Sequence, residues 1–451
     1  MDGPVLDSPF TKYRERKSQF LALVGVGLLF LVSDRNYLSS ALLLLSFLFL
    51  FLRNPETRLW FALPLTGLFA GFAMLARTQS LKEFDPAAAG ALVIGIWLVV
   101  LLLKGRMKLS KNWVPLALVV QIIVLYATTV IQTAFKLPFV FLNMFFWNFV
   151  SVVTEKSPES RAVRTNYFQQ LSFFVRAYFP MPLFPQFRAP TASQKGGFRL
   201  LFSGLLILSI MHVLNGGLTV QFGDFTWHVP QALTPAKWNL TQLFRQIQKG
   251  VWPTQTEAWI AVYANFLLKV LFYVGKGNVV IGTIRLCGFS AFRNTYRLSE
   301  SKSIFDFFQR YSYYFKELLN EFFFTPAFFF LRKVPLHLRF SIAILFSVGV
   351  GNFLFHLSER LCETGLDAKV DSDLLNFSTT YSFYCAILCL SILGSYFWSH
   401  FRAQPRALRY PWQMLRFLAI CHIFVFLKIF ETDTVGSLAL HLQFVRFLFF
   451  S

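Results

Sequence analysis

Residues 341–360 read SIAILFSVGVGNFLFHLSER: an apolar run punctuated by Gly349 and Gly351, then Asn352 and, four residues on, His356. With the residues just before it, the run supplies the roughly 20 apolar positions that a helix needs to cross a bilayer. Glycines at a two-residue spacing allow a neighbouring helix to come close, and the spacing of four places Asn352 and His356 on one helical face. The imidazole has two readings. It can hydrogen-bond a carbonyl where the span ends, or it can serve as a general base, because imidazole exchanges protons near neutral pH.

The rest of the chain repeats the pattern. Of 451 residues, 55% are apolar and 14% charged, and mean hydropathy is +0.52; a soluble chain carries about 25% charge. Further apolar runs lie near 20–33, 37–52, 60–76, 88–103, 113–133, 138–153, 199–214, 257–274, 338–357, 377–400, 412–430 and 438–450. The fold class expected is all-α, a polytopic membrane protein of about 11–12 transmembrane helices. No soluble stretch is long enough to hold a separate core, so residues 1–451 read as one membrane-embedded domain, with amino-terminal helices over 1–135. The first nineteen residues are polar and show no cleavable leader. The 57 phenylalanines read as packing or lipid-facing residues, and the five cysteines, which form no CxxC pair, as packing thiols.

The net charge of +21 follows the expected topology. With Lys12, Arg14, Arg16 and Lys17 cytoplasmic, the basic connections at Arg53/Arg58, 104–111, 156–164, 276–302, 332–339 and 402–409 all fall on the same side. The acidic residues Asp34, Glu83, Asp85, Glu359, Glu363, Asp367, Asp371, Asp373, Glu431 and Asp433 fall opposite. The first partner implied is therefore the lipid bilayer, with anionic headgroups adding to the attraction, and the basic excess needs no nucleic acid.

Two connections are too long for turns. Residues 154–198 carry prolines at 180, 182, 185 and 190, and residues 275–339 include SIFDFFQRYSYYFKELLNEFFFTPAFF (303–329). In the latter, Asp306, Arg310, Tyr313, Glu317 and Asn320/Glu321 recur at helical spacing and predict one polar face, with Asp306 and Arg310 as an i,i+4 ion pair. Either the helix lies in the interface with aromatic anchors, or it dips into the protein and lines a cavity. The loop 215–256, with Trp227, Trp238 and Trp252, reads as an interfacial cap. No HExxH, paired-histidine or Cys/His spacing suggests a metal, and no G-x-S-x-G elbow, Walker loop or GxGxxG is present.

The stretch 277–326, GNVVIGTIRLCGFSAFRNTYRLSESKSIFDFFQRYSYYFKELLNEFFFTP, resembles the central signature of the membrane-bound O-acyltransferases. The similar branch contains the alginate O-acetylation and teichoic-acid D-alanylation membrane proteins. Matching positions are Gly282, Arg285, Leu286, Gly288, Phe289, Asn294, Asp306, Phe307, Arg310, Glu321 and Pro326. FPQFRAP (184–190) resembles the family's FPQ loop, FLFHL places His356 at the family's second histidine, and the tail from Ile420 resembles its closing helix. The signature-bearing core would then be 136–451. Phe308 and Tyr311 stand in place of the family's tryptophans, Ser312 in place of its first histidine, Asn320 in place of an arginine and Leu357 in place of a glycine.

The resemblance implies re-entrant or interfacial helices around a central tunnel in a bacterial inner membrane. It implies transfer of an acyl group, expected to be acetyl, from a cytoplasmic acyl-CoA or acyl-carrier thioester, with no bound cofactor. The acceptor would be a hydroxyl of a cell-envelope polysaccharide or of an extracytoplasmic acyltransferase or assembly partner. His356 would be the base, Ser312 the residue across the tunnel and Asn352 a support for the His356 tautomer. Arg310, Arg285 and Gln309 would meet the donor, and Asp306, Asn294, Glu321 and Pro326 would hold the motif. A family member without catalysis, acting as a scaffold or conduit, and a transporter are the other classes; ordinary spans nearly free of charge weigh against the transporter.

Overall fold

A computed structural model describes residues 111–130, 190–216, 219–222, 225–228, 240–286, 292–364, 371–401, 410–431 and 436–450. The spans expected between 20 and 103 and at 138–153, the residues 184–189 and the Gly288–Phe289 pair lie outside them. In chain order, a short 3-10 turn leads into α1 (Val114–Val130), followed by α2 (Pro190–Gly216), β1 (Thr219–Phe222), β2 (Phe225–His228), α3 (Leu240–Gln248) and α4 (Gln255–Leu286). Then come α5 (Ile304–Tyr311), α6 (Tyr313–Leu319), a π-helical turn (Asn320–Phe324), α7 (Thr325–Phe330) and α8 (Leu336–Ile344). A second π segment (Leu345–Gly351) joins α8 to α9 (Asn352–Thr364), and α10 (Asp371–Phe401), α11 (Tyr410–Phe430) and α12 (Leu438–Phe450) complete the order.

Among the described residues, four helices are long and apolar enough to cross a membrane: Gln255–Val279, Leu336–Ser358, Leu374–Trp398 and Gln413–Phe430. Shorter apolar helices cover Val114–Val124 and Leu438–Phe450. These match the runs read at 113–133, 257–274, 338–357, 377–400, 412–430 and 438–450, and the run at 199–214 lies within α2. The described residues are thus predominantly helical, and the apolar helices mark the protein as membrane-embedded.

Two details differ from the sequence reading. The loop 215–256 contains an antiparallel hairpin in which Thr219 pairs with His228 and Phe222 with Phe225. Its strands are joined by the dipeptide Gly223–Asp224, a composition that suits two-residue hairpin loops. In the same loop, Leu240, Leu243, Phe244 and Ile247 form the buried stripe of α3, which packs on α12 through Phe244 and Phe444, with ring centroids 5.0 Å apart. The second detail is the length of α4. Its start is set by a capping box, with Glu257 N–H donating to Thr254 Oγ1 (3.3 Å) and Thr254 N–H donating to Glu257 Oε2 (3.0 Å). It then runs 32 residues, about 48 Å and well beyond the hydrocarbon thickness, because no proline or turn follows the span.

By contacts the chain divides into two compact units. The first comprises 1–109, 144–206 and 275–294; the second comprises 110–143, 207–274 and 295–451. Within the first, α2 and the last turns of α4 touch backbone to backbone. A Cβ on Gly282 would lie 2.6 Å from the amide nitrogen of Leu201, and one on Gly204 2.7 Å from that of Val279. Only hydrogen fits there, which gives the signature's Gly282 a packing role. Within the second unit, one core joins α3, the amino-terminal part of α4, α5, the α8–π segment, α10, α11 and α12.

Both π segments have local causes. Pro326 lacks an N–H, and its ring collides with the carbonyl four residues back, so the turn before it widens over Asn320–Phe324. The second segment contains Gly349 and Gly351, and at Gly351 the missing side chain makes room for the buried ring of Phe323. The two irregular segments therefore interlock.

Candidate functional site

The opening of α5 is organised by a serine and an aspartate. Asp306 N–H donates to Ser303 Oγ (3.0 Å), while the Asp306 carboxylate accepts from Lys302 N–H (2.9 Å) and from Arg310 Nε (2.7 Å). Ser303 thus caps the helix, while Asp306 ties the residue before the cap to the helix's last turn. Arg310 also faces Glu300 at 3.9 Å. The i,i+4 pair read from the sequence is present, and a phosphate on Arg310 would have to displace carboxylates.

The continuous polar face read over 306–321 is not formed, because α5 ends at Ser312 (φ −140°, ψ 81°) and α6 starts afresh. Thr295 Oγ1 donates to the Tyr311 carbonyl (2.8 Å) and Tyr296 N–H to that of Arg310 (3.0 Å), satisfying acceptors that a continued helix would have used. Ser312 occupies the N-cap position of α6 yet makes no capping bond. Its buried Oγ instead pairs with the Tyr273 hydroxyl of α4 at 2.7 Å. A cap worth about 1 kcal/mol has been traded for a bond between distant elements.

A polar cluster grows from that bond. The Tyr273 ring stacks on Tyr311 (centroids 5.2 Å apart, planes 13° apart), and Tyr311 stacks on Phe307. Lys428 Nζ lies 6.0 Å from the Tyr311 ring centroid and is ion-paired with Glu431. Burial, then the Glu431 carboxylate and Tyr273, push the Tyr311 phenol well above its ordinary range, so it remains a donor. At Glu431 burial acts to raise the carboxyl, but Lys428 and Lys269, with a smaller contribution from His356, outweigh it and hold the group below the usual carboxylate range.

His356 stands one turn beyond Asn352 at the start of α9. Its ring packs against Tyr381 (5.0 Å), Phe355 (5.2 Å) and Phe315 (5.5 Å). The Tyr381 hydroxyl donates to Asn352 Oδ1 at 3.4 Å. Tyr381 therefore joins the Asn352 amide to the imidazole, a link that a helical wheel of α9 alone does not contain.

α5 runs beside α11 along much of that span. Arg416 Nη1 donates to the Lys302 carbonyl (3.4 Å), Phe307 touches Phe424 (4.3 Å), and Tyr311 reaches Lys428. Nearby, a cavity of about 310 Å³ opens between α5, α6 and the two π segments. Gln309, Lys316, Glu317, Asn320 and Ser347 supply its polar lining, and neither Ser312 nor His356 lines it. Lys316 and Glu317 pair at 2.9 Å. Glu321 and Pro326 belong to the first π segment and its exit. Arg285 and the buried Asn294 belong to the other compact unit, where Arg285 Nη1 lies over Gly196.

Sequence reading missed Tyr273, Lys269, Lys428 and Tyr381, and it placed Glu431 in an outer loop. A signal existed for three of them: Lys269 and Lys428 are charges inside otherwise apolar runs, and Lys428 precedes Glu431 by three residues. Tyr273 and Tyr381 carried none, since aromatic residues abound. No protein-family model matches the chain, and no curated protein matches it.

Proposed function

We propose that the chain is a membrane-bound O-acyltransferase, with a single functional centre over the signature-bearing core. It moves an acyl group, acetyl foremost, from a cytoplasmic thioester donor to a hydroxyl of a cell-envelope polysaccharide or of an extracytoplasmic partner. One observation carries the reading: Ser312 pairs with Tyr273 in a largely half-buried polar cluster with Tyr311, Lys428 and Glu431, and His356, 44 residues on, packs on Tyr381, whose ring lies 5.0 Å from that of Tyr384. A charge such as that of Lys428, buried among apolar helices, is costly and is kept for chemistry. The course of α5 beside α11 supports a re-entrant segment, and the cavity lined by Gln309 supports a donor entry leading toward a tunnel. Multi-pass insertion in a bacterial inner membrane with a cytoplasmic amino terminus agrees with the basic loops.

In the transfer, His356 takes the acceptor's hydroxyl proton as the oxygen attacks the thioester carbonyl. A C–O bond forms, the C–S bond breaks, and the imidazolium returns the proton to the thiolate. Ser312 has no charge to offer the oxyanion, and its hydroxyl is already engaged by Tyr273. That engagement favours a second reading, a catalytically silent scaffold. The two separate on transfer from radiolabelled acetyl-CoA by membranes carrying wild type or His356→Ala. General-base loss lowers transfer about 100-fold or more. Equal, nonzero transfer would remove His356 as the base, and no transfer from either folded protein would leave the scaffold.

A further inference from the structure

Beyond the signature's last residue, Pro326, the chain turns tightly between α7 and α8. Leu331 N–H donates to the Ala327 carbonyl (3.1 Å) and Val334 N–H to that of Leu331 (2.9 Å). Pro335 stands at the N-cap of α8, and Leu336 opens the span Leu336–Ser358, so the turn lies where that span leaves the hydrocarbon. Around it Phe329 (67% exposed), Phe330 (87%), Leu336 and Leu338 show large apolar surfaces, and Arg332 and Lys333 are exposed beside them. Apolar side chains gathered like this are costly in water and suit acyl chains. The cations have no counter-charge: the sequence carries no aspartate or glutamate between Glu321 and Glu359. Among the described residues, Arg332, Lys333 and Arg339 make no ion pair and no side-chain hydrogen bond.

Arg339 is the fixed point of the group. Its N–H donates to the Pro335 carbonyl (2.8 Å), and its guanidinium lies 3.8 Å from the centroid of the Phe328 ring, which closes residues 328–339 into a loop that also carries Arg332 and Lys333. Stacking fixes the guanidinium plane but satisfies none of its donors, and the buried Nε has no acceptor among the described residues. An oxyanion with two free oxygens matches such a fork. We propose that the α7–α8 turn is a headgroup site for an anionic phospholipid. Arg339, with Arg332 and Lys333, meets the phosphate, and the acyl chains cover Phe329, Phe330, Leu336 and Leu338. Residues 332–339 belong to the side expected to be cytoplasmic, whose leaflet carries anionic lipid. A topology signal needs only basic residues near a span; it does not need an arginine stacked on a ring with a buried donor left over. The proposal is independent of the acyltransferase reading.

The test titrates the full chain, purified in detergent, with dioleoyl phosphatidylglycerol or dioleoyl phosphatidylcholine and counts bound lipid by native mass spectrometry. Wild type is expected to hold phosphatidylglycerol about tenfold or more above phosphatidylcholine, and each cation removed to weaken the anionic lipid about fivefold. The double variant Arg332→Gln/Lys333→Gln changes only exposed side chains, so it keeps the test sound should an Arg339 variant fail to fold. Arg339→Lys keeps the charge but not the planar fork, and loses part of the preference. Arg245→Gln/Lys249→Gln, which removes two exposed cations from α3 and the turn after it, is the control and leaves the preference unchanged. Equal binding of the two lipids by wild type overturns the proposal and leaves the turn to an acidic protein partner. An equal loss in the control overturns it as general attraction to charge. Displacement of the lipid by glycerol phosphate at the same concentration overturns it in favour of a site for free anions.

Discussion

Replacing Gly351 by alanine tests the interlocking of the two π segments. A Cβ at this position would lie 2.7 Å from Cγ of Phe323 and 2.9 Å from Cδ1 and Cδ2. Phe323 is fully buried, and its ring is backed by Phe346 at 5.9 Å, so it has no solvent side to retreat to. Forcing a methyl into such packing costs about 1–3 kcal/mol, against a gain of about 0.5–1 kcal/mol from removing a glycine within a helix. Gly394 of α10 is the matched control, because a Cβ there meets nothing within 4 Å. The helix gain is common to both substitutions and cancels in their difference, which isolates the overpacking as about 1–3 kcal/mol, roughly a 5- to 150-fold change in the folded-to-unfolded ratio. The assay is side-by-side denaturant unfolding of the two purified variants and wild type in one detergent. Gly394→Ala is expected at or above wild type and Gly351→Ala below it. Equal stability of the two variants would refute the seating of Phe323 against Gly351.

Two further outcomes follow from the cluster. Tyr273→Phe and Ser312→Ala each remove one partner of a single bond and should cost about 0.5–1.5 kcal/mol apiece. The double variant should cost clearly less than their sum, and strict additivity in a double-mutant cycle would mean that the hydroxyls do not pair. Acid should weaken the end of α11. The folded Glu431 carboxyl is held below its ordinary range, so its contribution is complete above the unfolded value of about 4.3 and is lost as pH falls through the lower folded one. Unfolding followed from pH 7 to pH 3 should show wild type and Glu431→Gln converging at the acid end; a gap constant with pH would count against the ion pair.

Legibility from sequence varied with the range of the interaction. The spans 338–357 and 412–430 were readable because a bilayer-crossing helix satisfies its own backbone and needs only length and apolarity. The Asp306–Arg310 pair was readable because its partners are four residues apart. The break at Ser312 was not, since serine is tolerated in mid-helix. It became a junction only because Tyr273, 39 residues earlier, takes its hydroxyl, and because Thr295 and Tyr296 take the carbonyls of α5. In the same way Pro326 was noted as a motif residue, but its widening of the preceding turn matters through Gly351, which receives Phe323 from that turn.

By itself, then, the amino-acid sequence determined a helical membrane protein, the positions of the apolar spans among the described residues and the ion pair of α5, because periodicity, length and i,i+4 spacing are local quantities. Tertiary structure decided the rest. It turned Lys428 and Glu431 from an isolated charge in a span and a loop residue into an ion pair whose lysine is buried, and joined Asn352 to His356 through Tyr381 of another helix. A charge inside an apolar run declares that it needs a partner, but which side chains supply the partner depends on how helices far apart in the chain pack together.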